Sequence, residues 1–169
     1  MPITPLHGLA IIFLYFKDRK RIDPLALMVS ATFIDLEPLY YLLIGEPFDH
    51  RIWHGFALAL TIYPILITIG VYIAEYFFKE RLWSVYETVR LKPSQVRYPL
   101  FSIYFCSLFG GVSHIFFDMF THKSMPYVIY PLTYGNPFYS VQASIIVEIA
   151  VILLAIYSCI QWLRQRASS

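Results

Sequence analysis

Apolar residues fall in long blocks along this chain rather than alternating with polar ones. Five blocks can be drawn, at about residues 5 to 16, 24 to 45, 52 to 78, 98 to 122 and 140 to 162. A helix rises about 1.5 Å per residue and a bilayer's hydrocarbon core is about 30 Å thick, so apolar runs of about 20 residues read as membrane crossings. The pattern predicts an all-α fold, a polytopic integral membrane helical bundle of about five transmembrane helices, built as one domain over residues 1–169. The first block is short. About 12 residues reach only about 18 Å, so this helix is expected to start within a leaflet or to lie among its neighbours. The second block contains Asp35-Leu36-Glu37-Pro38. Its proline is expected to kink or break the helix beside the two acids, and broken membrane helices line cavities.

The polar interludes set the orientation. Lys17-Asp18-Arg19-Lys20-Arg21, the stretch 79–97 and a tail with Arg164 and Arg166 hold eleven of the thirteen Lys and Arg. Short basic loops stay in the cytoplasm. Five crossings then place the amino terminus outside and the carboxyl terminus in the cytoplasm of a multi-pass cell-membrane protein. Leu82, Val85, Tyr86 and Val89 recur at helical spacing among charges within 82–91, a pattern shared by an interfacial amphipathic helix and a solvated helical linker. The loop 123–139, rich in Pro, Tyr and Phe, suits an aromatic belt or an ordered cap at the interface. Composition agrees with this class, at 58% hydrophobic and 14% charged residues, well outside the soluble balance. A net charge of +2 gives no reason to expect a nucleic-acid partner; the lipid bilayer is the expected one. Cys106 and Cys159 lie in apolar runs without CxxC spacing, and read as helix-packing residues rather than a thiolate metal site.

With that topology, every histidine falls toward the non-cytoplasmic end: His7, His50, His54, His114 and His122, together with Asp35, Glu37 and Asp118. His114, Asp118 and His122 repeat every four residues, which keeps them on one stripe of a helix. Ionisable groups at membrane depth are costly and mark a functional site by default. Imidazole and carboxylate together suit a divalent metal, zinc first. His54, His114 and Asp118 form the expected metal core, with His7 and Asp35 as further ligands. Asp35 or Glu37 is the candidate general base toward a metal-acidified water; the same acids would equally stabilise a kink at Pro38. His122 would contact substrate, hold a second ion or simply end the helix. Arg51 offers a planar fork for a phosphate or carboxylate. Asn136, in Tyr134-Gly135-Asn136-Pro137, either reaches substrate or belongs to an ordinary turn. Glu148, in an apolar run, and His50 are expected as supporting groups behind the ligands. Ser102, Ser107 and Ser113 lack a nucleophile-elbow context, which sets serine hydrolase chemistry aside.

Several of these segments, taken in order, resemble a known family. Met1-Pro2-Ile3-Thr4-Pro5-Leu6-His7, Asp35-Leu36-Glu37-Pro38, His50-Arg51-Ile52-Trp53-His54, Ser113-His114-Ile115-Phe116-Phe117-Asp118 and Asn136-Pro137 look like the membrane-bound metal-dependent hydrolases of the YdjM-like kind, over roughly residues 1 to 139. That family is similar in its histidines and acids to the zinc-dependent phospholipase C and nuclease superfamily, which implies phosphoester hydrolysis. His114 and Asp118 match its histidine and aspartate four residues apart, His54 its earlier histidine motif, Asp35 and Glu37 its acid pair, and His7 its early histidine. The chain departs in having Glu37 where the family often has a second aspartate, and in the shorter spacing of His50-Arg51-x-x-His54. Those departures leave the roles of Glu37 and His50 open.

The leading expectation is a membrane hydrolase acting on phosphoester bonds of a lipid or small amphiphilic substrate. Two other classes share these residues: a non-enzymatic membrane protein that binds or transports a divalent metal, and a structural one whose buried polar network fixes helix packing. The cytoplasmic half offers few polar residues for an ion path, Glu75 and Thr68 being the clearest.

Overall fold

A computed structural model describes residues 5–47, 50–91, 93–95 and 97–167. Met1 to Thr4 of the amino-terminal motif therefore lie outside the described residues. The fold is all-helical, without strands among the described residues. In chain order the helices are α1 (Pro5–Ile11), α2 (Phe13–Lys17), α3 (Pro24–Phe33), α4 (Leu36–Leu43), α5 (Phe56–Ala59), α6 (Ile62–Phe77), α7 (Lys79–Thr88), α8 (Leu100–Thr121) and α9 (Val141–Ala167), with one 3-10 turn at Ile52–His54.

Three stretches are long and apolar enough to cross a membrane among the described residues: Pro24–Leu43, α8 and α9. A fourth exists if α6 and α7, bent by 93°, count as one span. The first apolar block, now Leu6–Lys17, is too short to pass that test. Three to four candidate spans thus replace the five drawn from the pattern. The segment expected as an interfacial or linker helix is α7, and it turns away from α6 rather than prolonging it. The outward side of α9 carries Ile145, Ile149, Ile152, Ile156 and Ile160, all exposed, as a lipid-facing helix requires.

Asp23 starts α3, its Oδ1 accepting from the N–H groups of Leu25 and Ala26 at 2.8 and 3.3 Å, with Pro24 in the first turn. The helix breaks at Ile34–Asp35, where Pro38 predicts it. Pro38 has no N–H to give the Ile34 carbonyl, which instead accepts from Glu37 N at 3.2 Å, one residue early. That tightened turn carries Asp35 and Glu37. Small residues bring α3, α6 and α8 together. A Cβ on Gly110 would stand 1.9 Å from Ser30 Oγ, and one on Gly111 2.8 Å from the Tyr63 ring. Ser30 Oγ donates to the Cys106 carbonyl at 3.3 Å and Tyr63 OH to the Ser30 carbonyl at 2.7 Å, so the close approach is also fixed by hydrogen bonds. Cys106 packs inside this interface, whereas Cys159 is exposed on α9.

The basic segments gather at one end of the bundle. Ser94 Oγ and Tyr98 OH donate to the Arg19 carbonyl at 2.5 and 2.9 Å, Gln95 Nε2 to that of Lys20 at 3.2 Å, and Trp162 Nε1 to that of Val89 at 2.8 Å. Just inside this end sits a buried polar group. Glu75 Oε2 accepts from Tyr98 N at 3.3 Å, and the Asp23 and Glu75 carboxyls are near enough to perturb each other's charge. Asp23 Oδ2 and Glu75 Oε1 meet no N–H or O–H donor. Two buried carboxyls this near each other disfavour a double charge, which a proton kept on one of them relieves.

Candidate metal centre

The histidines meet at the opposite end. α8 supplies His114 and Asp118 from its last turns, both buried, with His114 Nε2 3.0 Å from Asp118 Oδ2. The break between α3 and α4 swings Asp35 across, so that its Oδ1 lies 3.2 Å from both His114 Nε2 and His54 Nε2. α1 adds His7, whose Nε2 is 3.4 Å from Asp118 Oδ1. His50 Nε2 lies 3.6 Å from Asp118 Oδ2, and His122 Nδ1 3.6 Å from Asp118 Oδ1. All five histidines therefore converge on two carboxylates. Burying those carboxylates is tolerable because imidazoles surround them.

Ligand atoms from Asp35, His54, His114 and Asp118 lie within 4.8 Å of one another, and so do those from His50, Asp118 and His122. Asp118 belongs to both groups. Neutral nitrogens mixed with carboxylate oxygens form the donor set of zinc and similar divalent ions. His7 Nε2, His114 Nε2 and Asp118 Oδ1 are buried without a hydrogen bond of proper geometry, although ion-pair distances among them are 3.0 to 3.4 Å. These groups stand close together but are not aligned as hydrogen bonds. Donor atoms that crowd together without bonding one another are what a cation-binding centre needs.

Two of the rings are held from behind. His114 Nδ1 lies 2.8 Å from the Ala31 carbonyl. A carbonyl only accepts, so Nδ1 carries a proton, and this bond turns Nε2 toward Asp35 and Asp118. His54 Nδ1 lies 2.8 Å from Glu37 Oε2, the carboxylate–histidine pairing that fixes ring orientation in metal sites. Burial, with His54 and His122 alongside, pushes the His50 pKa down to about 3, which keeps that ring neutral. Burial also opposes a charge on His54, but the hydrogen bonds from Asp35 and Glu37 outweigh it and raise its pKa.

Some expected roles change place. Glu37, expected as a catalytic acid or base, is only 8% exposed and fully engaged. Besides His54 it accepts from Arg51 N and Trp53 N at 3.0 Å each, so it organises the 51–54 turn. His50, expected behind the ligands, stands among them. His122 ends α8 as its cap while its ring lies 4.3 Å from that of His50. Asn136 was expected to reach substrate or to form a turn; its amide donates to the carbonyls of Met119 and His122 at 2.7 Å and its oxygen accepts from Phe138 N at 3.1 Å. It closes the end of α8. Glu148 accepts from Ser144 at 3.3 Å along α9 rather than supporting the cluster. Arg51 pairs with Glu46 and lies 3.7 Å over the Tyr41 ring, at the rim.

The aromatic loop seals the rim from another side. Phe56 N donates to the Val128 carbonyl at 3.0 Å, and a Cβ on Gly55 would meet the Tyr127 carbonyl oxygen at 2.5 Å. Only glycine lets the turn carrying His54 dock there. The Asp23–Glu75 pair at the far end was not foreseen as a unit. Its sequence signal is faint, since Asp23 reads as a helix cap and Glu75 as a lone acid.

Compared with known proteins, the chain matches no curated protein and no solved structure. A family match covers residues 1–164, almost the whole chain. The protein thus belongs to the family described as a domain of unknown function, DUF4184.

Proposed function

We propose that this chain is a membrane-embedded, metal-dependent hydrolase of phosphoester bonds, acting on a lipid or other amphiphile. The observation that carries the reading is the sharing of Asp118 by two ligand groups, since paired divalent ions bridged by a carboxylate recur in enzymes that cleave phosphoesters. Asp35, His54, His114 and Asp118 would hold one ion, and His50, Asp118 and His122 the other, with His7 supporting Asp118. Bound zinc would acidify water and neutralise charge on a phosphoryl group. The chain's own part is orientation: Ala31 and Glu37 aim the rings, and the 3-10 turn keeps His50 and His54 on one side. Asp35, with 15% side-chain exposure, is the carboxylate best placed to take a proton from attacking water. Arg51 at the rim suits a phosphate.

The reading includes similarity to the YdjM-like hydrolases and a cell-membrane location with the site on the non-cytoplasmic side. The gathering of basic segments at the far end supports this orientation.

The test is elemental analysis and turnover of the purified full chain in detergent. Bound zinc at about two ions per chain, with phospholipid cleavage that a chelator removes and zinc restores, is expected. Absence of both after zinc loading would overturn the reading. A second reading, passage of a divalent ion, draws on the Asp23–Glu75 pair at the other end of the bundle. Zinc uptake into proteoliposomes without lipid cleavage would favour it.

A further inference from the structure

Beside the metal centre, an apolar groove of about 740 Å³ runs between α3–α4 and α6, from Glu37 and Trp53 at one end to Ala74 and Leu82 at the other. This size falls within the usual range of ligand pockets, about 300–1,000 Å³. Along α6 the lining extends from Tyr63 to Ala74, about 17 Å at helical rise and thus about half of a hydrocarbon core. Its polar end is continuous with the candidate site, because Glu37 both lines the groove and bonds His54 at 2.8 Å. Arg51 stands at the same end, over Tyr41, another lining residue.

Gly70 gives an independent indication. It lines the groove in the middle of α6, where glycine weakens a helix by about 1 kcal/mol relative to alanine. Gly110 and Gly111 are explained by close helix contacts, but a Cβ on Gly70 would meet no protein atom within 4 Å. Protein packing does not require this glycine; the open space over it belongs to the groove.

We infer that the groove holds one acyl chain of a phospholipid, laid along α6 with its headgroup delivered past Glu37 to the histidine cluster. The choice of a phospholipid as substrate rests on the hydrolase reading above, whereas occupancy of the groove by a chain does not. The occupant is fixed by a length matching one leaflet, an apolar lining, and a polar end continuous with the histidine cluster.

The test uses the full chain in detergent, with dipalmitoyl- and dihexanoylphosphatidylcholine as substrates. Gly70→Leu is expected to lower kcat/KM for the dipalmitoyl lipid about tenfold, the loss when about two methylenes are displaced. It should leave the dihexanoyl lipid and the zinc content unchanged, and Gly70→Ala should behave as wild type. Equal losses for both lipids, or none for either, would overturn the groove. A second readout is independent of turnover: a palmitoyl chain bearing a diazirine midway should label α3 or α6 in the wild type and lose that adduct in Gly70→Leu. Undiminished labelling sinks the groove. The expected labelling without any lipid cleavage would instead sink the hydrolase reading and leave the groove standing.

Discussion

Two buried acidic centres sit at opposite ends of this bundle, and they balance the same electrostatic problem in different ways. At one end every carboxylate faces imidazole nitrogens: Asp118 touches four histidines and Asp35 two. At the other, Asp23 faces Glu75, with the unpartnered hydroxyls of Tyr15 and Tyr86 buried in the same field. The oxygen-only centre can neutralise itself by retaining a proton. The mixed centre offers imidazole nitrogens beside its carboxylates, and the rings of His114 and His54 are fixed from behind by Ala31 and Glu37. Buried charge by itself therefore does not point to a metal; the oriented nitrogens are what make the mixed centre a candidate for one.

The largest expected effect tests this contrast directly. Asp118→Asn should lower zinc affinity by at least about a hundredfold, because both ligand groups lose their shared member. Glu75→Gln removes an equally buried acid at the other end and should leave zinc stoichiometry unchanged. Competition with a zinc-binding dye measures both. Equal losses would mean that the two ends form one functional unit, and the comparison would fail.

Much of this centre was legible in the sequence, because helical spacing and charge segregation are local signals. The four-residue repeat placed His114 and Asp118 together, Pro38 located the break that swings Asp35 across, and the basic segments belong to one shared end of the bundle. Less legible were the groups whose roles depend on irregular backbone. Glu37 faces His54 only because the 51–54 turn folds back on it, and His50 reaches Asp118 through a loop that has no periodicity to read. Asn136 could be narrowed no further than turn or substrate contact until the α8 terminus supplied its partners. The count of crossings slipped because the first block, Leu6–Lys17, is too short for a span, and the third is divided into a 3-10 turn, α5 and an α6 of only 16 residues.

An intermediate effect separates a catalytic acid from a positioning one. Glu37→Gln keeps the shape of the side chain but offers His54 a weaker acceptor, and loses an ionic partner for the Arg51 and Trp53 N–H groups. Zinc affinity should fall about 10- to 100-fold, with kcat restored when zinc is in excess. A loss of kcat that saturating zinc does not restore would return Glu37 to the reaction itself.

The smallest effect probes the far end through pH. Burial, only partly offset by the Ala26 and Leu25 N–H groups, raises the Asp23 pKa from 3.8 to about 6. Between those values the folded protein binds the proton more tightly than the unfolded chain, so its stability declines as pH rises through the window and stays low above it. Asn at position 23 keeps an acceptor for the α3 cap, and its amide can donate to Glu75 as the shared proton does. Asp23→Asn should therefore flatten the decline between about pH 4 and pH 6 and leave the variant more stable at pH 7, by on the order of 2 kcal/mol. Thermal unfolding in detergent across that range reads the slope. A variant that keeps the wild-type slope would show that the far end does not hold its carboxyls by sharing a proton, and the contrast with the histidine centre would need another basis.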